Sequence, residues 1–486
     1  MRELVCCNTG STDSSQQEYL TSKTASLRPS PNFWTNLASS LTPEIFQISK
    51  RYAGPLRDTA YLDGLRGVAA FLVYIVHHES WAHPVWLPVM EMGYGYDGHR
   101  YFACLPVVRI LFMGGHFAVS IFFVISGFVL SRSPLKMIHD GDRAADLAKV
   151  LSSAMFRRAI RLYTPVVATT FIFMTIWHIG TGVWTAYPPH QANYAAEVVA
   201  WVREFSNFSF VFRHRGIAWL TYNLHTWSIP VEYKGSMVVY VSLLALSRSS
   251  IQSRVSVVAG LIIYFMYVVD GWFISCFLAG LLLAEFELLQ RSGQLPKWAW
   301  LNFLRTYQYL LLRLALFAGL WLGSQPGGAP DIDYLKRSPG WYYLAFFIPT
   351  ACSEFKWFWF TVAAVLTVTA VIHTPWLRRL FEAPIAQYLG RISFSLYLVH
   401  GPILWLLADR LYTATGRTRE GQNQGILAWK DTFPLSGAGP LGLEFNFLAC
   451  HLIILPITLY ASELATRLID EPSVRFAQYL YRKTLA

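Results

Sequence analysis

The sequence predicts an all-α fold, a polytopic membrane helix bundle of about 10 transmembrane helices. Charge is scarce: 14% of residues are charged and 54% hydrophobic, against ~25% charged in a typical soluble domain. Long apolar windows also recur, as in LYTPVVATTFIFMTIWHIG (162–180), GWFISCFLAGLLL (272–284) and WFWFTVAAVLTVTAVIH (357–373). Buried helices of large soluble proteins are apolar all round too, but here the windows alternate with basic connections and show no strand-like alternation.

Taken in order, spans are expected near 60–81, 111–131, 162–180, 224–246, 255–268, 272–284, 309–323, 357–373, 392–408 and 446–466. Several windows fall short of the ~20 residues that cross a bilayer, so their boundaries extend into mixed sequence. Residues 1–58 are polar, rich in Ser and Thr, and lack the apolar stretch of a signal peptide. They read as a disordered cytosolic tail, followed by a transmembrane domain over 59–475 and a cytosolic tail over 476–486.

The formal net charge of +11 is spread among the spans. It reads as a topology signal, with no nucleic acid as partner and membrane lipids as surroundings. With the amino terminus cytosolic, 25 Lys and Arg fall on that side and 12 on the other, leaving Arg66, Lys234 and Arg313 inside spans. The sequon Asn207-Phe208-Ser209 then lies in the lumen or outside, which makes Asn207 a glycosylation candidate and the chain a candidate glycoprotein. Six cysteines form no CxxC pair and no metal-ligand spacing, so no metal is expected. Cys6 and Cys7 are palmitoylation candidates. Cys104 and Cys352 share the non-cytosolic side, as a pair or as unrelated loop thiols.

An ionisable residue inside a span costs ~2.5–3.5 kcal/mol, so each asks for a partner or a task. LDGLRGVAAFLVYIVHH (62–78) is the clearest case. From Arg66 to His77 the eleven residues return to within ~20° of one helical face and rise ~16 Å, whereas His78 is turned away by a further ~100°. Arg66 and His77 can thus line one cavity, with Asp63 within ~40° of the same face. The bland alternative is a snorkelling Arg66 and a His77 bonded to a neighbouring helix.

Further along, His116 opens the second span and Ser126-Gly127 lies near its other end, where small residues also permit close helix packing. In FRRAIRLYTP (156–165), Arg158 and Arg161 share a helical face and suit the phosphates of a nucleotide-like ligand or, equally, anionic lipid. NLHTWSIPVEYKGS (223–236) brings His225, Trp227, Glu232 and Lys234, and as one helix it would put His225 and Glu232 within ~20° of one face, pointing into the shared cavity. GRISFSLYLVHGPILW (390–405) places Arg391 at an edge and His400 mid-span beside Pro402, where a kink would open the backbone.

In this order, Arg66-x10-His77 after Leu-Asp-Gly, FFVISGFVLS, Arg158-x-x-Arg161, TWSIPVEYKGS, GRISFSLYLVHGP and LIDEPSVRF resemble the acyltransferase 3 family of multi-span membrane acyltransferases, its fungal members in particular. The likeness covers about residues 58–475. Where many bacterial relatives read Glu-Glu-Gln-Phe-Tyr, this chain has Glu232-Tyr233-Lys234-Gly235.

The resemblance implies transfer of an acyl group, most often acetyl from acetyl-CoA, to a hydroxyl of a glycan, lipid or small metabolite, secondary metabolism included. No permanently bound cofactor is implied; acyl-CoA is the donor co-substrate. His77 would be the catalytic residue, as base or as acyl carrier, and Arg66, Arg158 and Arg161 would serve the donor. Glu232 would orient or charge-balance a histidine, Trp227 would form part of an acceptor platform, and Asp63, Ser126 and His400 would support the site. A multi-pass protein of the endoplasmic reticulum or another endomembrane is expected. A proton-coupled transporter also places His, Arg and Glu inside spans, but the two halves share no pattern of broken helices.

Overall fold

The computed structural model describes residues 43–47, 54–84, 87–141, 144–180, 188–212, 219–295, 306–327, 331–418 and 425–485. The expected tail 1–58 falls largely outside the described residues, and Cys6 and Cys7 entirely so. The chain divides between Glu44 and Ile45, and residues 45–486 hold everything below.

Among its described residues the unit is helical and without strands. The principal helices are α1 (Ala60–Ala82), α2 (Gly115–Asp140), α3 (Ala144–Ile179), α4 (Tyr194–Ser209), α5 (Ser228–Ala245), α6 (Ile251–Tyr267), α7 (Trp272–Arg291), α8 (Gln308–Gly323), α9 (Lys356–His373), α10 (Pro384–Ile403), α11 (Phe445–Ala465) and α12 (Glu471–Lys483). A π turn at Leu404–Ala408 continues α10 to Ala414, and another at Thr466–Asp470 joins α11 to α12.

Among the described residues, seven helical segments are long and apolar enough to cross a membrane: α1, α2, α3, α7, α9, α10 with its extension, and α11 joined to α12. The helices α6 and α8, at 17 and 16 residues, are shorter apolar pieces. The expected count of about ten is therefore not reached on length and apolarity. Two boundaries also move: α3 begins 18 residues before its predicted span, because the arginine-bearing approach is itself helical. The predicted tail 476–486 mostly continues α12, which rests on α3 with Phe156 against Tyr481 at 5.5 Å.

Water-driven burial does not distinguish a helix from lipid, so membrane helices associate through small residues that let backbones approach. Two crossings show this. At the first, a Cβ on Gly127 would lie 2.0 Å from the Phe277 carbonyl oxygen and one on Gly280 would lie 2.1 Å from that of Val124, locking α2 to α7. At the second, a Cβ on Gly67 would meet the Gly390 nitrogen at 2.2 Å, and one on Gly390 would meet the Asp63 carbonyl at 2.4 Å. This seam joins α1 and α10 side by side and in step: contacts at Gly67 and Gly390 are followed ten residues later by His77 facing His400.

Beyond the end of α1 a polar clasp ties it to the chain before α11. His83 Nδ1 lies 3.1 Å from Glu79, its Nε2 lies 3.0 Å from Glu444, and Arg417 holds the same Glu444 oxygen at 3.0 Å. Burial opposes charge on His83, but its hydrogen bonds to Glu444 and Glu79 outweigh that cost and raise its pKa from 6.5 to about 9. Cys104 and Cys352 are free thiols, bonded to the carbonyls of Val89 and Glu354.

Valine at Gly390 should separate α1 from α10, costing ~3 kcal/mol or more because backbone rather than a side-chain tip stands in the way. Thermal unfolding in detergent checks it. The clasp predicts a pH effect whose sign follows from a folded-state pKa above the free value. Its contribution is complete below pH 6.5 and is lost as pH rises through about 9. The wild-type unfolding midpoint should decline across that window, by the equivalent of about 3 kcal/mol, and His83→Asn should flatten the decline.

Candidate active site

Two cavities share a wall of Val119 and Tyr397. The first, about 160 Å³, lies toward the start of α1 and is lined by Arg66, Arg158, Arg161 and Arg391 against Glu232 and Asp470. Helix α3 delivers Arg158 and Arg161 three residues apart, α10 delivers Arg391, and the second π turn carries Asp470. Arg66 reaches Ser393 Oγ at 3.1 Å and the Gly390 carbonyl at 3.3 Å, which the α1–α10 seam makes possible.

Glu232 accepts a hydrogen bond from Ser126 at 2.7 Å and pairs with Arg158, whose Nε donates to Ser236 Oγ at 2.9 Å. Arg391 pairs with Glu471 at 2.8 Å. The Arg161 guanidinium, by contrast, is exposed and has neither ion pair nor hydrogen bond among the described residues. Four guanidinium groups facing two carboxylates leave this cavity cationic, with one cation uncommitted, and suited to a phosphate-bearing ligand.

The second cavity, about 110 Å³, surrounds His77 further along α1. His77 Nδ1 lies 2.9 Å from His400 Nε2, and His400 Nδ1 lies 3.0 Å from the Leu396 carbonyl. A carbonyl only accepts, so His400 carries its proton on Nδ1; in the neutral ring its Nε2 is then a lone pair, and His77 must donate from Nδ1. The consequence is an unprotonated Nε2 on His77. The His225 ring packs edge-on against His77 at 4.1 Å.

Pro402 explains how His225 is held. Lacking an N–H, it leaves the Leu398 carbonyl without its helical donor, and Asn223 supplies one at 2.8 Å. Gly401 completes the fit, since a Cβ there would stand 2.3 Å from His225 Nδ1. Tyr397 donates to the His225 carbonyl and accepts from Ser228 at 2.8 Å. The expected kink beside His400 takes the form of a π turn that brings Trp405 to 5.7 Å from His225.

The structure thus brings His77 and Trp227 together in one cavity wall, with the buried His400 bonded to His77, and Arg66, Arg158, Arg161, Ser126 and Glu232 together in the other. Arg66 and His77 were expected in a single cavity; they line adjoining ones. Glu232 was expected to orient a histidine, but it is bonded to Arg158 and Ser126. The single helix assumed for 223–236 is broken: Thr221–Trp227 is a 3-10 turn with extended backbone at Asn223, so His225 and Glu232 face different cavities. Asp63 stays outside both, paired with Arg57 at 2.7 Å and Arg66 at 3.2 Å. His78 turns away, as helical phase predicted, and bonds Tyr412 at 2.8 Å. Asn207 is exposed in the last turn of α4.

Sequence reasoning missed Asp470 and Tyr397, and it named Arg391 and His116 without assigning them. Among the described residues, two groups of side chains come close enough to hold a metal: His77 with His225 and His400, and His178 with His190 and Glu197. In the first, the 2.9 Å approach of His77 to His400 is that of a hydrogen bond. Two nitrogens on one zinc, each at ~2.0–2.1 Å in tetrahedral geometry, stand further apart. In the second, Glu197 is wholly buried and accepts from Gln191 N at 2.9 Å beside His178 at 3.1 Å.

Comparison with known proteins gives one family and several relatives. The profile of a family described as an acyltransferase domain matches residues 59–435. An O-acetyltransferase of Phomopsis amygdali, PaAT-1, is 32% identical over 78% of this chain and 79% of its own. Acyltransferase R4 of a Phoma species is 22% identical over 90% and 98%, and acyltransferase clz18 of Cochliobolus lunatus 23% identical over 70% and 82%. No solved structure matches.

The Arg158–Glu232 pair predicts a non-additive cycle. Arg158→Ala and Glu232→Ala should each lower the unfolding midpoint, and the double variant should lose ~0.5–3 kcal/mol less than their sum.

Proposed function

Starting from the fact that this chain belongs to the acyltransferase-domain family and is a membrane acyltransferase, we propose that it is an O-acetyltransferase that moves acetyl from acetyl-CoA to a hydroxyl. The observation that carries the reading is the adjacency of an arginine-lined cavity with an uncommitted Arg161 to a second cavity in which His77 Nε2 is left unprotonated. The printed activity of PaAT-1 supports acetyl as the group.

The donor's phosphates take Arg161, Arg158 and Arg66, and its pantetheine arm passes the Tyr397–Val119 wall toward His77. The distance suits that arm, since the eleven residues from Arg66 to His77 rise ~16 Å. His77 Nε2 accepts the proton of the acceptor hydroxyl as its oxygen attacks the thioester carbonyl. The tetrahedral intermediate then collapses, the C–S bond breaks, and the departing thiolate takes the proton back from His77. Base assistance of this kind is worth ~10²–10⁴ in rate.

His400 is a positioning residue: its Nε2 accepts from His77 Nδ1 and so fixes the tautomer. Glu232 sets the fork of Arg158 rather than touching the reacting atoms. The arginine cavity lies at the end of α1 that follows the amino-terminal tail, so a cytosolic tail puts the donor site on the cytosolic side of an endomembrane.

Purified protein with radiolabelled acetyl-CoA and an alcohol acceptor tests the reading. His77→Ala should lose at least ~100-fold in kcat while remaining inserted and monodisperse, and His400→Ala should lose less, chiefly in kcat. Arg161→Ala should raise the KM for acetyl-CoA. A His77→Ala protein that keeps most of its activity sinks the assignment, and acetyl-CoA-independent uptake by sealed vesicles would replace the enzyme with a transporter.

A further inference from the structure

The cavity around His77 contains polar groups that the acyl-transfer step leaves idle. The chain leaves α1 at Ala82, turns through the clasp, and returns as the short helix Leu87–Glu91, which brings Glu91 to the cavity end remote from the arginines. His116, the second residue of α2, joins it there.

Neither is spoken for. Among the described residues the half-buried Glu91 carboxylate makes no hydrogen bond and no ion pair. His116 packs edge-on to Trp357 at 5.2 Å and stacked on Phe360 at 6.2 Å, and neither of its nitrogens makes a hydrogen bond among the described residues. The cations nearest Glu91 are committed elsewhere: Lys356 pairs with Glu354 at 3.0 Å, and Arg109 donates to the carbonyls of Met90 at 2.9 Å and Ser324 at 3.2 Å. Val73, Val76, Met113 and Val119 supply the apolar lining, and the hydroxyls of Ser80 and Tyr397 are spent on the carbonyls of Val76 and His225.

A half-buried carboxylate and an imidazole without partners leave hydrogen-bonding capacity for a ligand to fill. The fixed cations decide which ligand. Arg109, bonded to carbonyls, already places a positive charge in the field of this carboxylate, beside the Lys356–Glu354 pair, so an ammonium gains less here than at an isolated carboxylate. A neutral hydroxyl donates to Glu91 without that repulsion. We infer that this end of the cavity is an acceptor subsite for a neutral molecule whose reacting end is apolar and carries two hydroxyl groups: one reaches His77 Nε2 and is acylated, and the other donates to Glu91 beside His116. The inference rests on the acyl-transfer reading and adds its acceptor class, with donor and acceptor approaching from opposite ends of α1.

The test uses the intact protein in detergent, labelled acetyl-CoA, and matched probes: cyclohexanol, the 1,2-, 1,3- and 1,4-cyclohexanediols, and trans-4-aminocyclohexanol. The wild type should acetylate at least one diol with a kcat/KM roughly tenfold or more above cyclohexanol and above the amino alcohol. In the near-isosteric Glu91→Gln and in Glu91→Ala that ratio should fall toward one. Equal rates on cyclohexanol and every diol, preference for the amino alcohol, or a diol preference undiminished in both variants would each overturn the inference while leaving acyl transfer standing. A wild type that acetylates no probe and releases no CoA overturns the acyl-transfer reading and this inference with it.

Discussion

The seam between α1 and α10 is the constraint on which the rest depends. Because Gly67 and Gly390 bring two backbones to within side-chain-free contact, helices more than 320 residues apart in sequence run side by side in step. One contact then determines two sites: Arg66 meets Ser393 and Gly390 near the start of the seam, and His77 meets His400 near its far end. A change of half a turn at the glycines would misplace both, since the arginine and the histidine share one rigid helix. The arginine cavity and the histidine cavity are coupled by geometry before any ligand arrives.

Several polar groups inside the bundle are answered, each in a different way. Glu232 is neutralised by Arg158 and fixed by Ser126, while His77 and His400 satisfy each other in series with the Leu396 carbonyl. Burying such groups costs less when every donor finds an acceptor. Arg161 on one side and Glu91 and His116 on the other make no hydrogen bond or ion pair among the described residues, and all three line cavities.

Much of this was legible before the structure. Helical phase alone separates His77 from His78, because both lie in an unbroken apolar helix, and the same reasoning put Arg158 and Arg161 on one face. Phase failed at 223–236, where Asn223 adopts extended backbone and the period restarts at Ser228. Long-range pairing was not readable at all, since the face a residue occupies does not say which helix lies opposite. Asp470 was hidden for a related reason: a π turn just ahead of Pro472 carries it into the arginine cavity. Of the ten expected spans, seven meet the length and apolarity of a crossing helix among the described residues, while α6 and α8 are apolar helices of 17 and 16 residues.

Pro402 has a consequence for the order in which the molecule is assembled. A bilayer offers no water to a stranded carbonyl, so α10 cannot enter it at full stability alone: Leu398 waits for a donor. That donor, Asn223, lies 175 residues nearer the amino terminus and leaves the ribosome first. The late helix therefore docks onto a socket already built, and the same docking slides His400 against His77. Biogenesis closes the chamber late, so a chain truncated before α10 would hold His77 and much of the bundle but lack the His400 that His77 bonds.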